Sequence, residues 1–448
     1  MSDHVQALFI EGYNHYTQGR EPEALACFDA VIAAAPHYAQ ARNNRAVLLQ
    51  NAQRYEEALQ DVDALLALDD TVAQTHAMRG RILLRLNRFA EVQASYARVR
   101  ELDSSYPLDV YEDAFCALML GDFASGWRLH EARWGTDSMH ATTSQRGQRG
   151  YAQPLWLGRE SLVGKTILLW PEQGYGDVIQ FCRYVPIVRQ MGAKVILTSH
   201  PSMLRLLQNS FAQMGVGGIE VVPDLVDSPY SFDFHCPLMS LPLACGTDAL
   251  AKIPNHTPYL FAVDADIKAY REAISHMART SVGAQPLRIG LVWAGGTRPN
   301  QPELHNIDAA RSLALWQFEP LLVLAQKKNA QIFSLQLGEP AQQLEAFLQE
   351  RPALSAIDLT STLKDWAGTA ALIANLDLVI SCDTAVAHLA AAMGKPTWIL
   401  SRFNGCWRWL DGRDDSPWYS SVRLFRQTTR GDWASVIAQV TTALQTYD

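Results

Sequence analysis

Ser381-Cys382-Asp383-Thr384-Ala385-Val386-Ala387-His388-Leu389-Ala390-Ala391-Ala392-Met393-Gly394-Lys395-Pro396 is the stretch whose reading decides the fold of this 448-residue chain. It continues the apolar run Leu378 to Ser381, so it reads as a strand end, a polar cap and a helix of small residues stopped by glycine and proline. The first N–H groups of such a helix have no partner inside it and can hold a pyrophosphate. Thr384 and His388 lie four apart and share a helix face, where a hydroxyl and an imidazole can both point at a ligand; a buried, internally bonded histidine is the plain alternative.

Around this stretch, short apolar runs alternate with amphipathic segments. Arg288 to Trp293, Gln331 to Gln336, Leu378 to Ser381 and Thr397 to Leu400 read as strands; so, earlier, do Thr166 to Trp170, Lys194 to Thr198, Glu220 to Val222 and Phe232 to Cys236. That is the signature of parallel sheets built from βαβ units, and the polar residues 280 to 286 separate two similar lobes. Ligands bind such sheets beyond the carboxyl ends of the strands. In the first lobe this points to Pro171-Glu172-Gln173-Gly174-Tyr175-Gly176-Asp177, where Gly174 and Gly176 bring the backbone close and Asp177 stands at or near a helix start. A plain N-cap is the alternative reading of that aspartate.

The first hundred residues follow a different rule. A shift of 34 aligns Gly12, Ala46 and Gly80, then Ala24, Ala58 and Val92, then Phe28, Val62 and Tyr96, the periodicity of stacked helix-turn-helix repeats. A fourth unit keeps phase at Ala114 and Gly121, then departs into Gly126-Trp127-Arg128 and Glu131-Ala132-Arg133-Trp134, read as a partial capping repeat. The expected product is a concave groove for a peptide or protein, with dimerisation or simple support of the other half as alternatives. Residues 136 to 150, with Thr142-Thr143-Ser144-Gln145-Arg146-Gly147, have the composition of a flexible connection.

Composition narrows the function. Hydrophobic residues make up 48% and charged residues 19%, an ordinary globular balance, and no apolar run approaches the roughly 20 residues that span a bilayer. Met1-Ser2-Asp3-His4 does not begin a secretion signal, so a cytoplasmic location is expected. Seven cysteines without a C-x-x-C pair read as reduced thiols. A net charge of -8 with no basic patch argues against nucleic acid. Asp-x-Asp occurs at Asp61-Val62-Asp63 among the repeats and at Asp264-Ala265-Asp266, neither of them following an expected strand, and no His/Cys cluster has ligand spacing, so no metal is expected.

Residues 150 to 447 resemble the bacterial lipopolysaccharide heptosyltransferase family and the glycosyltransferase modules fused to tetratricopeptide repeats. The residues carrying the resemblance are Gly176-Asp177, Gly290-Leu291-Val292-Trp293-Ala294-Gly295, Ser334-Leu335-Gln336, Asp383-Thr384 to His388 and Asp415-Ser416-Pro417-Trp418-Tyr419. The domain order also resembles O-GlcNAc transferase. The resemblance implies an α-solenoid followed by a GT-B pair of Rossmann-like α/β domains, a mixed α and α/β fold. It implies Asp177 as general base for an acceptor hydroxyl, and donor-phosphate binding by the segment holding Asp383, Thr384, Ala385 and His388, with Gly174, Gly176, Ser334 and Gln336 also at the donor.

The family's lysine after the second lobe's first strand is missing; Gly296-Thr297-Arg298-Pro299-Asn300 and Arg311-Ser312 stand there instead. Arg311 is the preferred substitute and Arg298 the runner-up, since guanidinium binds phosphate with two prongs. Most of the late tryptophans are expected in the core, with Trp407 or Trp409 the one to reach the cleft.

The resulting partition is repeats over 1–135, a linker over 136–160, an acceptor-side lobe over 161–283, a nucleotide-sugar lobe over 284–430, and a helix over 431–448 packing back across both lobes. The expected activity is inverting, metal-independent and cofactor-free transfer from a nucleotide sugar to a protein acceptor held by the repeats, flagellin being one candidate. Transfer to lipopolysaccharide or another glycan, and a scaffold whose transferase fold has lost catalysis, are the alternatives. A homo-oligomer is compatible with either role of the repeats.

Overall fold

A computed structural model describes residues 3–135, 150–172, 174–225, 229–277, 286–296 and 308–447. The chain divides into two compact units, Met1–His130 and Glu131–Asp448. The Thr-, Ser- and Gly-rich connection from 136 and the runner-up Arg298 lie outside the described residues.

The first unit is eight helices in four pairs: α1 (Asp3–Thr17) with α2 (Glu21–Ala34), α3 (Ala39–Asn51) with α4 (Tyr55–Leu68), α5 (Ala73–Arg85) with α6 (Phe89–Leu102), and α7 (Val110–Met119) with α8 (Phe123–His130). The second helix of each pair starts 34 residues after the previous one. The fourth unit, expected as a partial cap, is therefore a complete pair with short helices. The turn inside each pair passes through a positive φ at Gly19, Gln53, Asn87 and Gly121, again at a spacing of 34, where Gly and Asn adopt the left-handed region readily.

Packing explains the small positions. A Cβ on Gly80 would lie 2.2 Å from the Tyr96 ring, and one on Gly12 would lie 2.9 Å from Cys27 Cβ, so these glycines set how closely the helices of a pair approach. Gly80→Ala is expected to destabilise the repeat unit by about 1–3 kcal/mol through overpacking, read as a lowered unfolding midpoint; an unchanged midpoint would mean that Tyr96 moves aside freely. Polar bonds repeat with the same period. Arg45 pairs with Asp29 of the preceding pair and Asp61 of its own, and Arg79 with Asp63 of the preceding pair and the Ser95 hydroxyl of its own.

The second unit holds two parallel sheets. β1 (Thr166–Trp170), β2 (Lys194–Ser199), β3 (Ile219–Pro223) and β4 (Phe234–Pro237) lie in the order β3-β2-β1-β4. β5 (Arg288–Val292), β6 (Gln331–Ser334), β7 (Ile357–Asp358), β8 (Leu378–Cys382), β9 (Thr397–Ser401) and β10 (Val422–Arg426) lie in the order β10-β9-β8-β5-β6-β7. In both sheets the order reverses beside the first strand, β1 or β5, which opens a crevice at the carboxyl ends there. β1, β8 and β9 are buried almost throughout, which is why they read as continuous apolar runs.

Four boundaries differ from the sequence expectation. Glu131–Gly135, assigned to the repeats, groups with the second unit, because the Arg133 guanidinium forks onto Glu172 just after β1. Within the expected linker, Trp156 is buried and its amide donates to His235 O in β4, so this part belongs to the first sheet. The helix Asp264–Met277, placed in the first lobe, packs on Trp366–Ala374 of the second, and Asn375 Nδ2 donates to Ile267 O. The closing helix Trp433–Gln445, expected across both lobes, makes its main contacts with Glu319–Lys327 and β10 in its own lobe, where Lys328 Nζ donates to its last carbonyls.

Candidate active site

The second lobe's half of the site forms where β8 ends. Thr384 has extended backbone and caps the helix Ala385–Ala392, whose first-turn amides receive no side-chain cap. The helix ends on Gly394 at φ +73°, with Gly394 N donating to Ala391 O and Lys395 N to Ala390 O, a Schellman stop as Gly-Lys-Pro suggests. Ser381 Oγ and Thr384 Oγ1 are 3.0 Å apart. The amides at the amino end, reinforced by the helix dipole, can receive an anion. The Asp383 carboxylate is itself an anion, so it meets a diphosphate only through its backbone.

Arg311 and Arg402 bring positive charge to this helix end. Arg311, on a short helix over 308–311, donates through Nη1 to Asp383 O at 3.1 Å and through Nη2 to Asp308 at 2.7 Å. It fits because Gly295 has no side chain: a Cβ there would lie 2.6 Å from Arg311 Nε. That Nε has no hydrogen-bond partner among the described residues. Arg402 directly follows β9, and burial pulls its guanidinium down from the ordinary value while the Asp383 carboxylate pulls the other way. Sequence reading missed Arg402, although the strand-end rule that found Asp383 applies equally to it.

The first lobe's half is the helix Tyr175–Phe181, with Gly174 as its N-cap. Asp177 is thus inside the first turn rather than the cap, and its carboxylate pairs with the buried Arg408 guanidinium of the second lobe. Arg408 also donates to Gln180 Oε1 at 2.7 Å. Arg408 lay hidden in the tryptophan-rich run 407–409, where it was passed over in favour of its aromatic neighbours. Asp177 and the helix end at Thr384 therefore flank one junction between the two sheets.

Several of the expected site residues make internal contacts. A Cβ on Gly176 would lie 3.2 Å from His388 Cδ2, so this glycine lets the two lobes' helices touch. Gln336 spends its amide on the chain: Oε1 accepts from Trp293 N and Ala294 N, and Nε2 donates to Ala294 O and Leu337 O. It shapes the loop after β5. Ser334 is buried beneath that loop, its hydroxyl 3.4 Å from Gln336 N. Trp407 and Trp409 are buried too, against Phe181 and His388 respectively, because the lobes close over them.

His388 is buried, stacked on Trp409, with Nδ1 2.9 Å from Tyr419 Oη. Burial pushes its pKa down to about 3; the Asp383 carboxylate opposes this, while Arg408, Arg183 and Arg311 reinforce it. The ring is neutral at neutral pH and brings no positive charge to a phosphate. Because the folded value lies below the unfolded one of about 6.5, the unfolded chain takes the proton first as pH falls, and this stability is present above pH 6.5 and lost towards pH 3. Between pH 7.5 and 5.5 the wild type should lose about 1 kcal/mol more unfolding free energy than His388→Gln; equal losses would contradict a neutral buried imidazole.

Arg183 completes the junction. It is buried between the Tyr259 and Tyr419 rings and donates to Tyr259 Oη and Trp418 O, each at 2.7 Å. Its Nε donates to Gln180 O nearby, but the partners of Nη1 and Nη2 come from 71 or more residues away, and nothing in the local sequence marks them.

Two parallel sheets that present a carboxylate and an uncapped helix end to one crevice have the layout of a two-lobed transferase. Residues 317–400, which include Asp383 to His388, match glycosyltransferase family 9 (heptosyltransferase). The chain is a glycosyltransferase carrying tetratricopeptide-type repeats.

Over 470 aligned residues it is 26% identical to Protein FlbA of Caulobacter vibrioides, spanning 98% of this chain and 73% of FlbA. A shorter likeness, 30% over 93 residues, is to RNA polymerase II-associated protein 3 of Xenopus tropicalis, covering 21% of this chain and 14% of that protein. Among solved structures, the first tetratricopeptide domain of human RPAP3 is 25% identical with a TM-score of 0.21, over 22% of this chain and 80% of that domain. No described helix is long and apolar enough to cross a membrane.

Proposed function

We propose that the enzyme transfers a sugar from a nucleotide sugar to a protein acceptor recruited by the helical repeats, with inversion and without a metal. The observation that carries the donor half of this reading is the meeting of uncapped amides at Thr384 to Val386 with Arg311, which donates to Asp383 O, while Arg402 directly after β9 adds a positive charge that interacts with Asp383. These groups match a departing diphosphate, which needs positive charge or N–H donors as it leaves. In the proposed step the acceptor oxygen attacks the anomeric carbon on the face opposite the diphosphate. The bond from that carbon to the diphosphate breaks, and the acceptor's proton passes to Asp177.

The acceptor half rests on the repeats, whose regular helix pairs form the kind of surface that takes peptides. Flagellin is the first acceptor to try. The donor is tested by thermal unfolding of the whole chain with UDP, GDP, ADP, CMP and their common sugar conjugates. A bound nucleotide at about 100 times its dissociation constant adds roughly 2.7 kcal/mol. A shift with one nucleotide supports the donor site and names its base; silence across the panel counts against it. Removing residues 1–130, which spares Arg133, should then abolish modification of a protein acceptor while sparing transfer to a small soluble glycan. Loss of both would assign the repeats a structural role instead.

A further inference from the structure

The loop that delivers Asp177 is held from outside its own lobe's sheet. It leaves β1 at Trp170, runs through Glu172 and enters the helix at Gly174. Glu172 is fully buried, and the segment just after the repeats reaches it. Arg133 Nε donates to Glu172 Oε2 at 2.7 Å and Nη2 to Glu172 Oε1 at 2.8 Å, a two-pronged bond between side chains that are both fully buried. Arg133 Nη2 also donates to Ser240 Oγ and Nη1 to Glu131; Ser240 Oγ donates to Glu131 Oε1, and Met239 N to Glu172 Oε1. The guanidinium packs 4.4 Å from the Trp134 ring centre, and that ring lies 5.9 Å from the ring of Trp170, the last residue of β1.

A pair like this is a costly way to gain stability, because both charges leave water and an apolar replacement of similar size often does as well. What an apolar replacement cannot reproduce is direction. A fork on a carboxylate fixes the carboxylate's plane, and here that carboxylate belongs to the residue five before Asp177. Burial pushes the Glu172 carboxyl up, with the nearby Asp177 charge adding to this and Arg133 opposing it; without the fork the loop would be driven to relieve the charge.

We propose that Arg133, with Glu131 and Ser240 holding it, is a positioning residue: it fixes Glu172 and thereby the loop that presents Asp177. This deepens the transferase reading and rests on it for its catalytic consequence. Catalysis is sensitive to such placement, since a reacting group displaced by about 1 Å can cost on the order of a hundredfold in rate.

The test uses full-length protein carrying Arg133→Lys, which keeps the charge and loses the fork, and the double variant Arg133→Met with Glu172→Met, which removes both buried charges and protects folding. Hydrogen exchange is read at the amides of residues 174–178 and, as control, 436–444. Activity is nucleoside diphosphate release from the nucleotide sugar that the unfolding screen selects. The expected result is faster exchange at 174–178 in both variants with the control unchanged. In the double variant kcat should fall at least about tenfold with the donor KM unchanged, and Arg133→Lys should fall between it and wild type. Unchanged exchange at 174–178 overturns the proposal, as does a double variant with wild-type kcat. Wild-type protein that releases no nucleoside diphosphate would sink the transferase mechanism instead, while the exchange arm still decides the positioning.

Discussion

Asp177→Asn is expected to slow sugar transfer by about 10²–10⁴-fold while leaving nucleotide binding unchanged. The amide keeps the carboxylate's shape and can still accept a hydrogen bond from Arg408, so the junction between Asp177 and the second lobe persists. It cannot take up a proton at neutral pH. Alanine would be a poorer test, since it leaves the buried Arg408 without its carboxylate partner and mixes a stability loss into the rate. The check is kcat from nucleoside diphosphate release, with the nucleotide-induced shift in unfolding midpoint as control. A variant as fast as wild type would remove Asp177 from the chemistry.

The largest expected loss of stability belongs to Arg133. Arg133→Met leaves Glu172 and part of Glu131 without their cation in a closed environment, and breaking one side of a buried pair costs about 3–5 kcal/mol. Adding Glu172→Met should recover most of that loss, because the second change removes the stranded charge. Chemical denaturation of the single and double variants measures both numbers. A mild single variant would mean that water enters the pocket beside Ser240 and solvates Glu172.

Local patterns carried the chain's architecture. The 34-residue period was legible because each small position meets a bulky one on its partner helix, as Gly80 meets Tyr96. β1 was readable to the residue, and β8 and β9 to within one, because buried parallel strands are apolar throughout. β7 escaped because two residues make no pattern, and β10 because Val422-Arg423-Leu424-Phe425-Arg426 stands in polar surroundings.

The candidate site was legible where strand-end and helix-cap rules act locally, at Asp383, Thr384 and the segment around Asp177. It was not legible where the decisive partner is distant in sequence. Arg408 meets Asp177 from 231 residues away, and Arg183 meets Trp418 from 235. The internal contacts of Gln336 and Gly176 were not legible either, because spacing shows which residues gather and not which atoms are already bonded.

The most direct measurement is mass spectrometry of flagellin after incubation with the full-length chain and the nucleotide sugar chosen by the unfolding screen, run beside Asp177→Asn. The account predicts an acceptor heavier by one or more sugar residues with wild-type protein, stoichiometric nucleoside diphosphate release, and neither with the variant. Binding of a nucleotide without release, whether flagellin or a soluble glycan is offered, would contradict it and favour a scaffold that has kept the transferase fold and lost its reaction.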